Sequence, residues 1–192
     1  MTTTETDGSH TAQRIGTIVA AACLLVVAVG VAAMLIWPRT VQTGETLSDT
    51  DLRGKPFAVV LGFTRCPEVC PTTLWEMSEA FKSLGSHADR LRMLFISVDP
   101  TRDTPEFLAR YLQSFDRHIT GLTGTEAEIA AVAKEYRIYY QKVPTDDGDY
   151  TMTHTASIFL MDAEGQFTGT ISYGESMTMR LQKLRRLIGA TA

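Results

Sequence analysis

The chain has 192 residues, 44% of them hydrophobic and 21% charged, with a formal net charge of −4 at pH 7. That length suits one domain plus an additional segment, and the lack of a basic excess argues against nucleic acid as a partner. Three cysteines, Cys23, Cys66 and Cys70, are too few for a disulfide framework, so attention falls on one close pair and one outlier.

The additional segment is N-terminal. Residues 1–14 are small and polar and read as a disordered tail. Residues 15–37, IGTIVAAACLLVVAVGVAAMLIW, carry no charge. A helix of that length, rising about 1.5 Å per residue, is long enough to cross a hydrocarbon core. Arg14 and Arg39 flank it, and Trp37 sits where an interfacial aromatic belongs. A signal peptide usually has a shorter apolar region and a small-x-small cleavage site, which does not follow Trp37. The expectation is one uncleaved transmembrane helix over 15–37. Cys23 follows AAA, a weak likeness to a lipidation site, and reads better as a small apolar residue of the span. Arg39, Arg53 and Lys55 follow the span and only Arg14 precedes it, so charge alone would place the domain in the cytoplasm.

Residues 38–51 read as a polar linker with room for a short strand or turn, and 52–192 as the folded domain. FAVVLGFT (57–64) is an apolar, β-rich run and predicts a buried strand. The loop RCPEVCP leads into a helix over 72–84, with Leu74, Met77, Phe81 and Leu84 at helical spacing. A second buried strand covers 91–98. A helix over 103–115 opens on Asp103 or Thr104 as cap, with Pro105 in its first turn. A further helix, 125–136, begins with the capping-box pair Thr125 and Glu128. IYYQKV (138–143) predicts a strand, and 144–150 a turn. ASIFLMD and FTGTISY predict a hairpin joined at AEGQ, and MRLQKLRRLI closes the chain as an amphipathic helix. The order β-α-β-α-(β)-α-β-β-β-α predicts an α/β sheet with helices on both faces.

The chemistry gathers at GFTRCPEVCP (62–71). Cys66 follows the first buried strand at its carboxyl end, where open α/β sheets bind ligands. Cys70 stands at a helix start, where the helix dipole and free N–H groups lower a thiol pKa. Both cysteines are therefore expected to have thiolate character. Two adjacent thiolates serve either disulfide exchange or a soft metal. A structural zinc would need four ligands, whereas copper(I) accepts two or three. The third ligand would be a histidine or methionine. His10 lies in the tail, and His87 and His118 read as solvated. His154 lies just before the strand beginning at Ala156, where a site would gather residues, and is either a ligand or a histidine satisfied by backbone hydrogen bonds. Met152, Met177 and Met179 offer thioethers but read as packing or helix-start residues.

GFTRCPEVCPTTL, SVDPTRDTPEFLARY, GLTG and THTASIFLMDAEGQF occur in that order between Leu52 and Leu187. Together they strongly resemble the Sco/SenC family of copper chaperones for cytochrome c oxidase. The resemblance implies a thioredoxin-like fold on a single membrane anchor, with the domain in the periplasm or another extracytoplasmic space. It implies copper bound by Cys66, Cys70 and His154, and delivery of copper to, or reduction of the cysteines of, the dinuclear Cu-A site in oxidase subunit II. A copper donor protein would be a second partner. The implied setting, a cell inner membrane, outweighs the basic-residue count. Asp99 is expected either to support the thiols or a partner, or to cap the PTRDTP turn.

The sequence departs from the family pattern at several positions. Arg65 stands where a histidine or aromatic residue is usual. A cation there favours thiolate at Cys66 and opposes copper(II). Glu68 replaces an aspartate, and MTHTA replaces a VDHSA-like string, which removes an acidic neighbour of His154. The usual GGPF-x-L strand is missing, which suggests a truncated N-terminal hairpin and a bare or membrane-proximal sheet edge. A rival from another class is a metal-independent thiol–disulfide reductase, using Cys66 and Cys70 alone. A peroxiredoxin-like peroxidase fits poorly, because the cysteine spacing is wrong.

Overall fold

A computed structural model describes residues 39–41 and 46–190. They belong to one compact unit, Pro38–Ala192. The expected tail at 1–14 and span at 15–37 lie outside the described residues, as do Cys23 and His10. Among the described residues, no helix is long and apolar enough to cross a membrane.

The N-terminal strands are β1 (Arg39–Val41) and β2 (Thr46–Leu47), followed by the short helix α1 (Asp49–Leu52). The central elements are β3 (Phe57–Gly62), α2 (Val69–Leu84), β4 (Arg92–Ser97), α3 (Pro105–Leu112), β5 (Ile119–Thr123) and α4 (Glu126–Glu135). The C-terminal part comprises β6 (Tyr140–Pro144), β7 (Tyr150–His154), β8 (Ile158–Met161), β9 (Phe167–Ile171) and α5 (Met177–Leu187).

Seven strands form one sheet in the order β2-β1-β5-β4-β3-β8-β9. β3 and β4 run parallel, as do β4 and β5. β8 joins β3 antiparallel, and β9 folds back on β8. Every residue of β3 is buried, as are five of the six in β4. Side chains alternate across a strand, so both faces of the sheet centre are covered, which is why these strands read as unbroken apolar runs. This is the expected α/β, thioredoxin-like arrangement.

The strand given in parentheses is present as β5, and the polar stretch with room for a short strand contributes β1 and β2. Two sequence expectations are corrected. The hairpin read as truncated, with a bare sheet edge, is formed by β1 and β2, and β1 covers the edge of β5. The expected turn at 144–150 ends in β7, which pairs with β6 from Tyr140↔His154 to Pro144↔Tyr150. Among the described residues, β6 and β7 form a hairpin of their own, apart from the main sheet.

Candidate metal and dithiol site

β3 sets the floor of the site. Its last residue, Gly62, has no side chain because there is no room for one. A Cβ there would stand 2.5 Å from Cε2 of Phe95 and 3.0 Å from Sγ of Cys70. Past β3 the chain turns through Thr64. Its N–H and hydroxyl both donate to the buried carboxylate of Asp103, which also accepts from the Ser97 hydroxyl. Asp103 thus ties the cysteine loop to the end of β4. Sequence reading saw Asp103 only as a possible helix cap; the cap of α3 is Thr104, whose side chain accepts from Phe107 N–H.

The helix carrying the second cysteine starts earlier than its apolar spacing indicated. α2 begins at Val69, so Cys70 and Pro71 lie in its first turn. Glu68, at the N-cap position, makes no side-chain capping bond. The sulfur of Cys66 accepts instead, from Cys70 N–H at 3.4 Å. A thiolate there satisfies one of the unpaired N–H groups of the first turn. Cys70 is buried and Cys66 partly exposed.

The two thiols are not equivalent, contrary to the expectation of thiolate character at both. A hydrogen bond from the Cys70 thiol holds the Cys66 thiol far below its ordinary value, against the opposing effect of burial, with His154 and backbone N–H groups adding to the lowering. Cys70 is pushed well above its ordinary value, first by that same bond to Cys66 and then by burial. The pair shares one proton: Cys66 is the thiolate and Cys70 keeps the hydrogen.

His154 ends β7 and reaches over the pair. Its Nε2 lies 3.6 Å from Sγ of Cys70, and its ring meets Phe63 edge-on at 5.9 Å. Nδ1 contacts the carbonyl oxygen of Thr155 at 3.0 Å. A carbonyl only accepts, so Nδ1 carries a proton, and Nε2 is the nitrogen turned toward the sulfurs. One nitrogen of His154 is thus satisfied by the backbone, and the other is turned to the Cys70 sulfur.

Asp99 is buried, and its hydrogen bonds run to groups other than the thiols. Its carboxylate accepts from Arg102 Nε and from the Tyr150 hydroxyl. Its carbonyl accepts from the N–H groups of Arg102 and Asp103, in the turn that leads to α3. Arg65 reaches away from Cys66 to Asp149, at 3.5 Å on the surface. His118, read as solvated, is largely buried. It stacks on Phe81 at 4.9 Å, with its nitrogens on Asp116 and Asp89. Met179 is exposed, and Met152, a residue of β7, is buried.

A family profile described as SCO1/SenC matches residues 37–189. The chain belongs to the SCO1/SenC family. It is 41% identical over 131 residues to the human mitochondrial SCO1 homolog, covering 67% of this chain and 44% of that protein. It is 38% identical over 128 residues to an SCO2-like protein of Rickettsia felis, covering 66% of this chain and 62% of the relative. The chain thus spans about half the length of the curated relatives it matches. Among solved structures, it resembles copper-bound ScoI of Bradyrhizobium japonicum with a TM-score of 0.74 and 47% identity, covering 79% of this chain and 97% of that one. Copper-bound yeast Sco1 superposes with a TM-score of 0.73 at 31% identity, covering 82% and 90%.

No group of three or more His, Cys, Asp or Glu side chains among the described residues stands ready-made in metal-holding geometry. Cys66, Cys70 and His154 are nonetheless neighbours, with Cys70 in contact with both of the others.

Proposed function

We propose that this Sco-family chain binds copper(I) through Cys66, Cys70 and His154 and carries it as cargo for cytochrome c oxidase assembly. The observation that carries the reading is the approach of His154 Nε2 to the Cys66–Cys70 pair. Two sulfurs and one imidazole form a soft donor set of low coordination number, which suits copper(I). With metal–ligand bonds of about 2.0–2.3 Å, two ligands of one ion stand roughly 3.5 Å apart; the sulfur–nitrogen separation of 3.6 Å already fits. The likeness to ScoI and Sco1 structures with copper bound supports the choice of metal.

The recipient in this reading is the Cu-A centre of oxidase subunit II, with a separate copper donor protein upstream. Residues 15–37 anchor the domain in the cell inner membrane, with the domain on the periplasmic side. Copper would pass by ligand exchange. Partly exposed Cys66 is the ligand a recipient reaches most directly, whereas Cys70 is buried.

The unequal thiols favour a second reading, thiol–disulfide reduction without metal. Cys66 thiolate would attack a substrate disulfide and release one substrate thiolate. Cys70, on losing its proton, would then attack the Cys66 sulfur of the mixed disulfide. That releases the second substrate thiolate and leaves Cys66 and Cys70 joined by a disulfide, two electrons having passed to the substrate. Mixing the copper-loaded chain with reduced, copper-free subunit II domain separates the two. Metal appearing in the recipient supports delivery. No metal transfer, with rapid reduction of an oxidised subunit II domain by the copper-free dithiol, supports the reductase reading.

A further inference from the structure

His154 sits between two attachments of very different kinds. On its C-terminal side the chain enters β8, which is hydrogen-bonded into the main sheet through β3. On its N-terminal side lies the β6–β7 hairpin, which is outside that sheet. A lone two-stranded hairpin is marginally stable in water, so its position depends on what holds it to the body. The start of β7 is held by one residue in particular. Arg102, from the loop between β4 and α3, has a side chain only 12% exposed. Its Nε donates to Asp99, and its Nη1 donates to the Asp149 carboxylate at 3.2 Å and to the Tyr150 carbonyl at 3.0 Å. The guanidinium carbon also lies 3.6 Å from the centre of the Tyr150 ring. The Tyr150 hydroxyl returns to Asp99 at 2.8 Å, closing the loop of contacts, and Lys142 lies 3.5 Å from the same ring centre. The other Arg102 nitrogen, Nη2, is buried with no partner, so Nε and Nη1 do the anchoring.

We infer that Arg102 is the positioning residue of this site: with Asp99 and Tyr150 it latches the β6–β7 hairpin to the domain and so holds His154 over the cysteine pair. Tyr150 precedes His154 by four residues on one strand, about 13 Å at the usual rise, a short and stiff lever. The planar fork of arginine is what lets one side chain bind a carboxylate, a carbonyl and a ring face together; lysine offers no such fork. The outer Arg65–Asp149 pair reaches the same hairpin, but both partners are more than half exposed, and such pairs contribute little. Release of the latch would free His154 while leaving both cysteines in place, so the metal would be held by sulfur alone. The latch therefore sets how fast copper leaves. This rests on His154 being a copper ligand.

The test is a double-mutant cycle on copper(I) dissociation from the full chain, read by transfer to the chelator bicinchoninate. His154→Ala alone is expected to speed dissociation. Arg102→Gln is expected to speed it by roughly 3- to 30-fold in the native background and by less than about twofold in the His154→Ala background, the non-additivity of coupled residues. Tyr150→Phe, which removes only the hydroxyl bond to Asp99, is expected to give a smaller effect with the same dependence on His154, and carries the test if Arg102→Gln does not fold. An equal acceleration in both backgrounds would mean that Arg102 is merely structural and would overturn the inference, as would no acceleration in either. If His154→Ala itself leaves dissociation unchanged, the ligand reading fails first and the inference falls with it.

Discussion

The Nε2 atom of His154 lies 3.6 Å from Sγ of Cys70, although 84 positions separate them in the chain. Cys70 is placed by the first turn of α2 and by the absence of a side chain at Gly62. His154 is placed by the end of β7, with its other nitrogen committed to the Thr155 carbonyl. The encounter is thus specified independently from both sides, so changes on either side should affect it separately.

The shared proton makes Cys66 the reactive thiol. Its pKa is lowered, so it is ionised at pH 6, where Cys70, with its pKa raised, is not. Iodoacetamide at pH 6 should label Cys66 of the metal-free chain roughly tenfold faster than Cys70, since only the thiolate reacts. Cys70→Ala removes the thiol that donates to Cys66 and leaves the backbone N–H bond in place. The Cys66 pKa should then rise toward the ordinary thiol value, and the pH at which alkylation reaches half its maximum should rise with it. Peptide mapping of the labelled protein reads both effects; preferential labelling of Cys70 would contradict the assignment.

Gly62→Ala tests the floor of the site. The new methyl would meet both the Phe95 ring and the Cys70 sulfur closer than side-chain carbons normally pack. Overpacking of this kind costs about 1–3 kcal/mol, so the urea midpoint should fall. Because the sulfur is one of the atoms displaced, copper(I) dissociation should also change. A variant with native stability and native dissociation would show that the glycine is incidental.

Asp103→Ala should be among the more damaging single changes. It strands the Thr64 N–H and hydroxyl and the buried Ser97 hydroxyl. Leaving buried donors unpaired costs about 1–3 kcal/mol each at most sites, more when the lost partner is charged. Asp103→Asn keeps one acceptor oxygen and should lose less. Urea unfolding of the two variants should rank them in that order, and equal stabilities would contradict the account.

Much of this was legible in the sequence, and what was not has physical reasons. The strands at Phe57–Gly62 and Arg92–Ser97 are buried on both faces, so their apolar runs announced them. Thr125 and Glu128 announced the start of α4, and the capping box is formed. β7, by contrast, reads YTMTH and lies outside the main sheet, so no alternation of core residues marked it. β5 carries a central glycine in ITGLT, which blurred its strand character. At the site, Cys66, Cys70 and His154 were visible through residue type and motif. Arg102, Asp103 and Tyr150 were not, because their partners are brought together only by the fold: Asp103 meets Thr64 across 39 positions and Tyr150 meets Asp99 across 51. The thiol asymmetry was also hidden, since it depends on which sulfur is buried.

Arg137 offers a test of the scaffold away from the site. It is the one described non-glycine residue with positive φ, at 54°. It follows the C-cap of α4, where Ile138 N–H donates to the Ala133 carbonyl and Arg137 N–H to that of Lys134. That pattern favours glycine. Arg137→Gly should stabilise the domain by about 1 kcal/mol and raise the thermal midpoint, with copper binding unchanged. A lower midpoint would show that the arginine side chain contributes more than its backbone strain costs.

The most direct test of the central claim is an anaerobic copper(I) titration of the reduced chain alongside His154→Ala, with a chelator of known affinity as competitor. One copper per chain is expected in the native protein, with affinity at least about tenfold weaker in His154→Ala, or about 1.4 kcal/mol. Equal affinities would contradict the three-ligand site, and failure of the native chain to bind copper(I) at all would contradict the proposed function itself.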